Sequence, residues 1–307
     1  LGSLRIRQDF LIAQALKAPY ASDDTSDQFA LEMALARIRQ LSAHEVGHTI
    51  GLAHNFAASS KGRSSVMDYP HPTLSIKDDR VDFTDAYDTK IGDWDKVSIA
   101  YSYSEFKTDE DANLKSILND AFNNGARFIT DQDARPLGSA HAYAHLWDNG
   151  SDVSVELENL LLIRKNAIAN FSKDNIKSNQ PYSVLEDVFV PLYFLHRYQT
   201  EGVAKVIGGL DYTYAIKDDG NTIVKRIPGK LERKALASVI KTLSVEELAI
   251  PKKILNLFPP RAFNYGRTRE SFKSKTGVAF DPFGAVETAS SMTLGLLLHP
   301  ERVTRLV

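Results

Sequence analysis

The chain has 307 residues, 43% hydrophobic and 25% charged, with a formal net charge of −2 and a pI near 6.5. That composition suits a folded protein with a sizeable core, as one large domain or two smaller ones, and it offers no basic footprint for nucleic acid. The absence of cysteine excludes disulfides, thiolate zinc fingers and cysteine nucleophiles.

In chain order, Leu4, Arg5, Ile6 and Arg7 alternate like the tail of a strand. Arg7 to Ala18 then spaces Phe10, Leu11, Ala15 and Leu16 as a helix, broken at Pro19. The polar stretch Asp23 to Asp27 suits a helix start. From there Phe29, Met33, Ile38, Leu41, His44 and His48 continue one long helical pattern to Gly51.

That helix carries HEVGHTIGLAH, with His44, Glu45, His48, Gly51 and His54. Positions four apart share a helix face, so His44 and His48 can aim at one ion, while Glu45 is rotated off that line toward a water beside it. Gly51 has no Cβ and can adopt the left-handed turn that brings His54 back to the same ion. Three neutral ligands and one open position describe a catalytic rather than a structural zinc. A chance match at all five positions has odds of about one in 10⁵.

Asn55 to Asp82 is rich in Ser, Gly, Pro and Asp and reads as loop, with Ser65, Val66, Met67, Asp68 and Tyr69 inside it. Taken alone, Met67 is a buried adaptable side chain and Tyr69 a core aromatic. Asp78, Asp79, Asp82, Asp85 and Asp88 offer carboxylates for a structural calcium, at a spacing that fits no EF-hand loop. Helices are expected over Ile91–Tyr103, Asp111–Phe122, Val153–Phe171, Ser183–Val206, Lys230–Lys241, Val245–Ile250 and Asp281–Leu298. Ser244 and Glu247 have capping-box spacing. Tyr212–Ile216 and Thr222–Ile227 flank Asp218, Asp219, Gly220 and Asn221 as a hairpin. No segment approaches the roughly 20 apolar residues of a membrane span; Met292 to Leu298 is far too short.

Five histidines lie outside the motif. His141 and His145, with Asp131 and Asp133 upstream, invite a second metal site, but without a third ligand at fixed spacing ordinary packing is the better reading. His71 is a turn residue that can also line a substrate pocket; His196 and His299 fit helix packing or helix termini. Glu186, Asp187, Arg197 and Glu201 read as ion pairs at helical spacing rather than a substrate clamp.

The zinc motif and SVMDY together resemble the metzincin clan of zinc endopeptidases. SVMDYPHP, IGDWDKVSIAYSY, LEDVFVPLYFLHRYQTEGVAKVIGG and FPPRAFNYGRTRESF extend the resemblance to the catalytic region of large bacterial zinc-dependent metalloproteases of a met-zincin type. It implies one catalytic zinc on His44, His48 and His54, Glu45 as general base, Met67 in a Met-turn beneath the metal, and Tyr69 beside it as ligand or oxyanion donor. It also implies a protein or peptide substrate and export to the periplasm, cell surface or medium.

The expected fold is mainly α with an α+β remnant. Residues 1–103 would form a metzincin-like zinc-binding part whose N-terminal sheet is mostly lost with the remainder of a longer precursor. Residues 104–307 would form a helical extension with a small hairpin, packed on it. A noncatalytic zinc-containing binding or assembly module is the alternative reading of the same residues.

Overall fold

A computed structural model describes residues 2–17, 20, 28–78, 80–217 and 219–307. Ala18, Pro19, Asp23 to Asp27, Asp79 and Asp218, on which parts of the sequence reading rest, lie outside the described residues. The fold is mainly α. Helices α1 (Gly2–Lys17) and α2 (Gln28–Thr49) are followed by a short antiparallel pair, β1 (Ser75–Lys77) and β2 (Arg80–Asp82). Next come α3 (Asp93–Tyr103), α4 (Glu110–Asn123), the single turn α5 (Asp131–Ala134), α6 (Val153–Asn170), α7 (Leu185–Tyr193) and α8 (Arg197–Val206). A second antiparallel pair, β3 (Leu210–Asp211) and β4 (Lys225–Arg226), precedes α9 (Gly229–Lys241), α10 (Val245–Leu248), α11 (Lys252–Leu255), α12 (Pro282–Leu297) and α13 (Pro300–Leu306). No described helix is long and apolar enough to cross a membrane.

Four expectations need correction. Residues 4–7 belong to α1, not to a strand: four alternating positions carry less weight than the helical pattern that follows them and extends back through Gly2. The loop expected over 55–82 contains the β1–β2 pair, registered through Ile76 and Val81. The single helix expected over 183–206 is two helices. Pro191 lies inside α7, where it lacks the N–H of a helical bond and crowds the preceding turn, and the chain leaves the helix at Phe194 before α8 begins. The hairpin near Gly220 forms, but its ladder pairs 210–211 with 225–226, so the first strand lies just before the expected 212–216 while the second falls inside the expected 222–227.

The largest core cluster joins both ends of the chain. Leu11, Ile12 and Met33 pack with Leu160, Leu185, Phe189, Ile254 and Phe280. Each fully enclosed side chain of this kind contributes about 1.5–3 kcal/mol relative to exposure. The buried stripe of α2 is Ala30, Met33, Ala34, Arg37, Gln40, His44 and Gly47. Arg37 and Gln40 therefore take inward positions, while Leu31, Leu35, Ile38 and Val46 stay exposed.

Behind the end of α2, one carboxylate organises the 64–67 segment. Asp95, buried at the start of α3, accepts from Ser65 Oγ at 2.5 Å, from the Val66 amide at 2.8 Å and from the Gly92 amide at 2.6 Å. Gly92 is needed here for closeness. A Cβ on it would sit 2.0 Å from the Ser64 carbonyl oxygen, backbone that cannot rotate away. Gly92→Ala is expected to destabilise the fold by about 1–3 kcal/mol or more, as overpacking does. Urea denaturation measures it, and an unchanged midpoint would contradict the packing.

Candidate metal centre

His44 and His48 stand one turn apart on α2, and Gly51, at φ +82°, ends the helix in the left-handed conformation expected of it. The chain then turns so that His54 faces the other two. The ring centroids lie 4.6 Å apart for His44–His48, 4.6 Å for His48–His54 and 5.1 Å for His44–His54. One nitrogen from each ring falls within 4.8 Å of the others, the sole such group of three or more among the described residues.

Hydrogen bonds on the far side of each ring decide which nitrogen faces inward. His44 Nδ1 donates to the Val66 carbonyl at 2.7 Å, His48 Nδ1 to the Leu52 carbonyl at 2.9 Å, and His54 Nδ1 to the Asp131 carboxylate at 2.8 Å. Carbonyls and carboxylates only accept, so each Nδ1 carries the proton and each Nε2 presents a lone pair to the centre. His44 Nε2 is buried with no protein partner, and the Nε2 atoms of His48 and His54 stand 3.1 Å apart. Two lone pairs at that distance repel unless a cation lies between them. Three neutral imidazole nitrogens match the donor set of zinc. Burial, more than repulsion from His48 and His54, lowers the pKa of His44 despite its bond to Val66, which favours the neutral form that binds metal.

Each tether has its own support. Val66 is held by Asp95, as above. Asp131 comes from a distant part of the chain, and Asn55, next to His54 and fully buried, delivers it. The Asn55 side chain donates to the Arg127 carbonyl at 2.8 Å and accepts from the Ile129 amide at 3.2 Å, while its own amide donates to the Met67 carbonyl at 3.0 Å. Partial burial alone would raise the pKa of Asp131. Hydrogen bonds from Arg135 and His54 outweigh it and hold the carboxyl at about 2, ionised. This Asp131–His54 contact was not anticipated from sequence, where Asp131 suggested a partner for His141 and His145. Nothing in periodicity connects residues so far apart.

Met67 is buried beneath α2, so close that a Cβ on Gly47 would meet its sulfur at 2.2 Å. The ring of Tyr69 stacks on His44 with centroids 5.0 Å apart and lies 4.9 Å from His54. Its other neighbour is Trp147, stacked at 5.0 Å and 12°, and the guanidinium of Arg135 sits 5.4 Å over the Tyr69 ring. Burial lowers the pKa of Arg135, but its hydrogen bond to Asp131 outweighs that and raises it, so it stays charged. Glu45 is exposed on α2, next to His44 and off the ligand line. Arg135 and Trp147 were also missed by the sequence reading.

The other polar candidates lie elsewhere. His141 uses both ring nitrogens on backbone, Nε2 donating to the Tyr212 carbonyl at 2.9 Å and Nδ1 accepting from the Tyr143 amide at 3.2 Å. His145 Nε2 lies 3.3 Å from the Glu201 carboxylate, and Asp133 accepts from Tyr212 and from Tyr214. His71 is buried, with its carbonyl held by Asn149; His196 and His299 precede α8 and α13. Asp88 pairs with Arg63, and Asp82 accepts from Thr84. Glu186 and Asp187 pair not within their helix but with Arg267 and Arg261 of the late FPPRAFNYGRTRESF segment. Arg197 lies over Tyr198.

The geometry agrees with a comparison of the whole sequence: a family profile described as Met-zincin matches residues 26–307. The chain belongs to the Met-zincin family. No curated protein and no solved structure matches it. Membership in the Met-zincin family and the triad together point to zinc and to a metalloprotease.

Two predictions follow from these hydrogen bonds. Asp131→Ala removes the acceptor that orients His54 and is expected to weaken zinc affinity about 10–100-fold, read by competition with a chromogenic chelator. Wild-type affinity would deny the carboxylate that role. His141 is fully buried and its neutral form satisfies both partners; burial, ahead of its other influences, lowers its pKa to about 4. The unfolded chain binds this proton near pH 6.5 and the folded chain does not, so the contribution is present above pH 6.5 and lost as the pH falls toward 4. His141→Gln should therefore lose about 2 kcal/mol less stability than wild type between pH 7 and pH 5. Urea titrations at the two pH values test this, and parallel losses would refute it.

Proposed function

We propose that this protein is a zinc-dependent endopeptidase acting on protein or peptide substrates. The carrying observation is the convergence of three Nε2 lone pairs, each fixed from behind by an acceptor that leaves no other tautomer. A zinc ion held by His44, His48 and His54 supplies Lewis acidity, polarising the scissile carbonyl and lowering the pKa of water toward neutrality.

The chain's own residues do the rest. Glu45 projects about 100° round the helix from His44. It is exposed, able to take the proton of the attacking water and pass it to the leaving amine. The Tyr69 hydroxyl would donate its proton to the developing oxyanion, with the Arg135 guanidinium charge lying over the same ring. Met67 would serve as the residue of a Met-turn, filling the space under Gly47 without binding metal.

In this reading residues 1–103 form the zinc-binding part and 104–307 the extension packed on it. Leu31, Leu35, Ile38 and Val46, exposed along α2, support a substrate-holding sheet packing on that face. Export to the periplasm, cell surface or medium belongs to the same proposal and rests on the resemblance to large bacterial metalloproteases.

Glu45→Gln is expected to retain one zinc per chain and to lower turnover of a fluorogenic peptide library about 10²–10⁴-fold. Undiminished turnover would remove Glu45 as the base. Wild-type protein that holds zinc yet cleaves no member of the library would favour the noncatalytic assembly role instead.

A further inference from the structure

A ladder of rings leads away from the metal centre. Tyr69 stacks on His44 at 5.0 Å, Trp147 on Tyr69 at 5.0 Å, and Tyr198 lies 6.0 Å beyond Trp147. At the far end the guanidinium of Arg197 sits 4.3 Å over the Tyr198 ring. An extended peptide advances roughly 3.3 Å per residue, so the three steps together span at most about five residues of a bound chain.

Trp147, Tyr198 and Arg197 line one groove of about 510 Å³. Val190 of α7, Phe194 just after it, Phe272 and Met292 of α12 complete its apolar surface. Mostly apolar walls with a few polar groups, at this size, are the usual form of a binding site.

The charges around the groove are unbalanced. Glu270 is the one acidic residue among the described residues that line it, and its carboxylate already accepts from Arg7 Nε at 3.0 Å and from Thr268 Oγ1 at 2.5 Å. Arg197, for which an ion pair was expected, has none among the described residues. It donates to the Phe194 carbonyl at 3.2 Å, which leaves most of its N–H fork open. Arg269 is exposed on the same groove and pairs with no described carboxylate. The nearby Arg261 and Arg267, by contrast, are matched to Asp187 and Glu186. Two guanidinium groups without counter-charges beside an apolar floor suit an anion flanked by apolar groups.

We propose that this groove is a substrate subsite that takes an acidic side chain of the bound peptide, its carboxylate held by Arg197 and Arg269 and its apolar neighbours laid against Trp147, Phe194 and Met292. The subsite deepens the peptidase reading and rests on it. A planar guanidinium stacked on an aromatic ring keeps its N–H edge available to a carboxylate, and such a charge-assisted pair is stronger than a neutral hydrogen bond. Stacking on Tyr198 also fixes the fork, so less freedom is lost on binding. Trp147 belongs both to the stack on Tyr69 and to the groove wall, so a peptide seated here lies along a surface continuous with the metal centre.

The test is fluorescence anisotropy with the zinc-loaded Glu45→Gln chain, which reads binding without turnover. The probes are amidated, otherwise uncharged peptides in which a single glutamate is moved along an apolar sequence, each paired with its glutamine counterpart. At one position glutamate is expected to bind at least about tenfold more tightly than glutamine, the scale of a charge-assisted hydrogen bond. Arg197→Gln and Arg269→Gln, added to the same chain, should each reduce that ratio and together abolish it. A structural loss would weaken both members of a pair, whereas a lost carboxylate contact weakens only the glutamate member. Cleavage by the wild type should show the same preference in KM rather than in kcat. No glutamate preference at any position, or one that survives the double substitution, overturns the subsite whether or not the wild type cleaves the library. A preference in binding with no cleavage by the wild type would remove the peptidase reading while upholding the groove as a site for acidic peptides.

Discussion

Three imidazole N–H groups pointing outward are the constraint on which the rest of the site depends. A histidine ring can turn over or exchange its proton between nitrogens, and either event would put an N–H where a metal must be. Bonds from Nδ1 to Val66, Leu52 and Asp131 forbid both. The backbone around α2 must in turn hold those acceptors still. Asp95 with Ser65 behind His44, the Gly51 turn behind His48 and Asn55 behind His54 provide the rigidity.

The same hydrogen bonds explain why residues far from the motif belong to the site. The strip from Arg127 to Trp147 lies far beyond the motif in sequence, yet it supplies the carboxylate on His54, the guanidinium over Tyr69 and the ring stacked beneath it. Backbone bonds fasten the strip to the histidine loop at Phe56–Ile129, His145–Phe56 and Trp147–Tyr69. Trp147 holds φ +65°, uncommon for a bulky residue, and the stack on Tyr69 together with the amide bond to Tyr69 compensates for that backbone cost.

How much was legible in the sequence follows from the range of each interaction. His44 and His48 could be paired because one helical turn separates them, and Gly51 because a single residue must take the left-handed conformation. The helices at 93–103, 153–170 and 229–241 could be read because apolar spacing is local. Asp131 could not be matched to His54, nor Glu186 to Arg267, since those pairings depend on how distant segments stack. Local rules also misled at specific places: Leu4 to Arg7 alternates yet is helical, and Pro191 sits inside α7 while the break comes later. Ser244 caps α10 as expected, but Glu247 does not complete the box, because its carboxylate pairs with buried Arg164 at 3.2 Å. A buried guanidinium without a partner costs more than an incomplete cap, so the tertiary demand wins.

Charged groups stand on both sides of Tyr69. On the metal side its ring meets His44 and lies under the Arg135 guanidinium; on the inner side its chain neighbour Asp68 lines a small cavity together with Asp148. Burying two carboxyls behind an aromatic stack is a poor way to gain stability, since apolar side chains of similar size would do better. What such a pair does supply is direction. Asp68 and Asp148 hydrogen-bond the Tyr69 amide and Ser59, so each fixes one side of the wall in a single orientation. Under the role proposed for Tyr69, its hydroxyl would meet a charge that exists only during reaction, and a wall placed before substrate arrives is the kind of preorganisation for which a protein can justify spending stability.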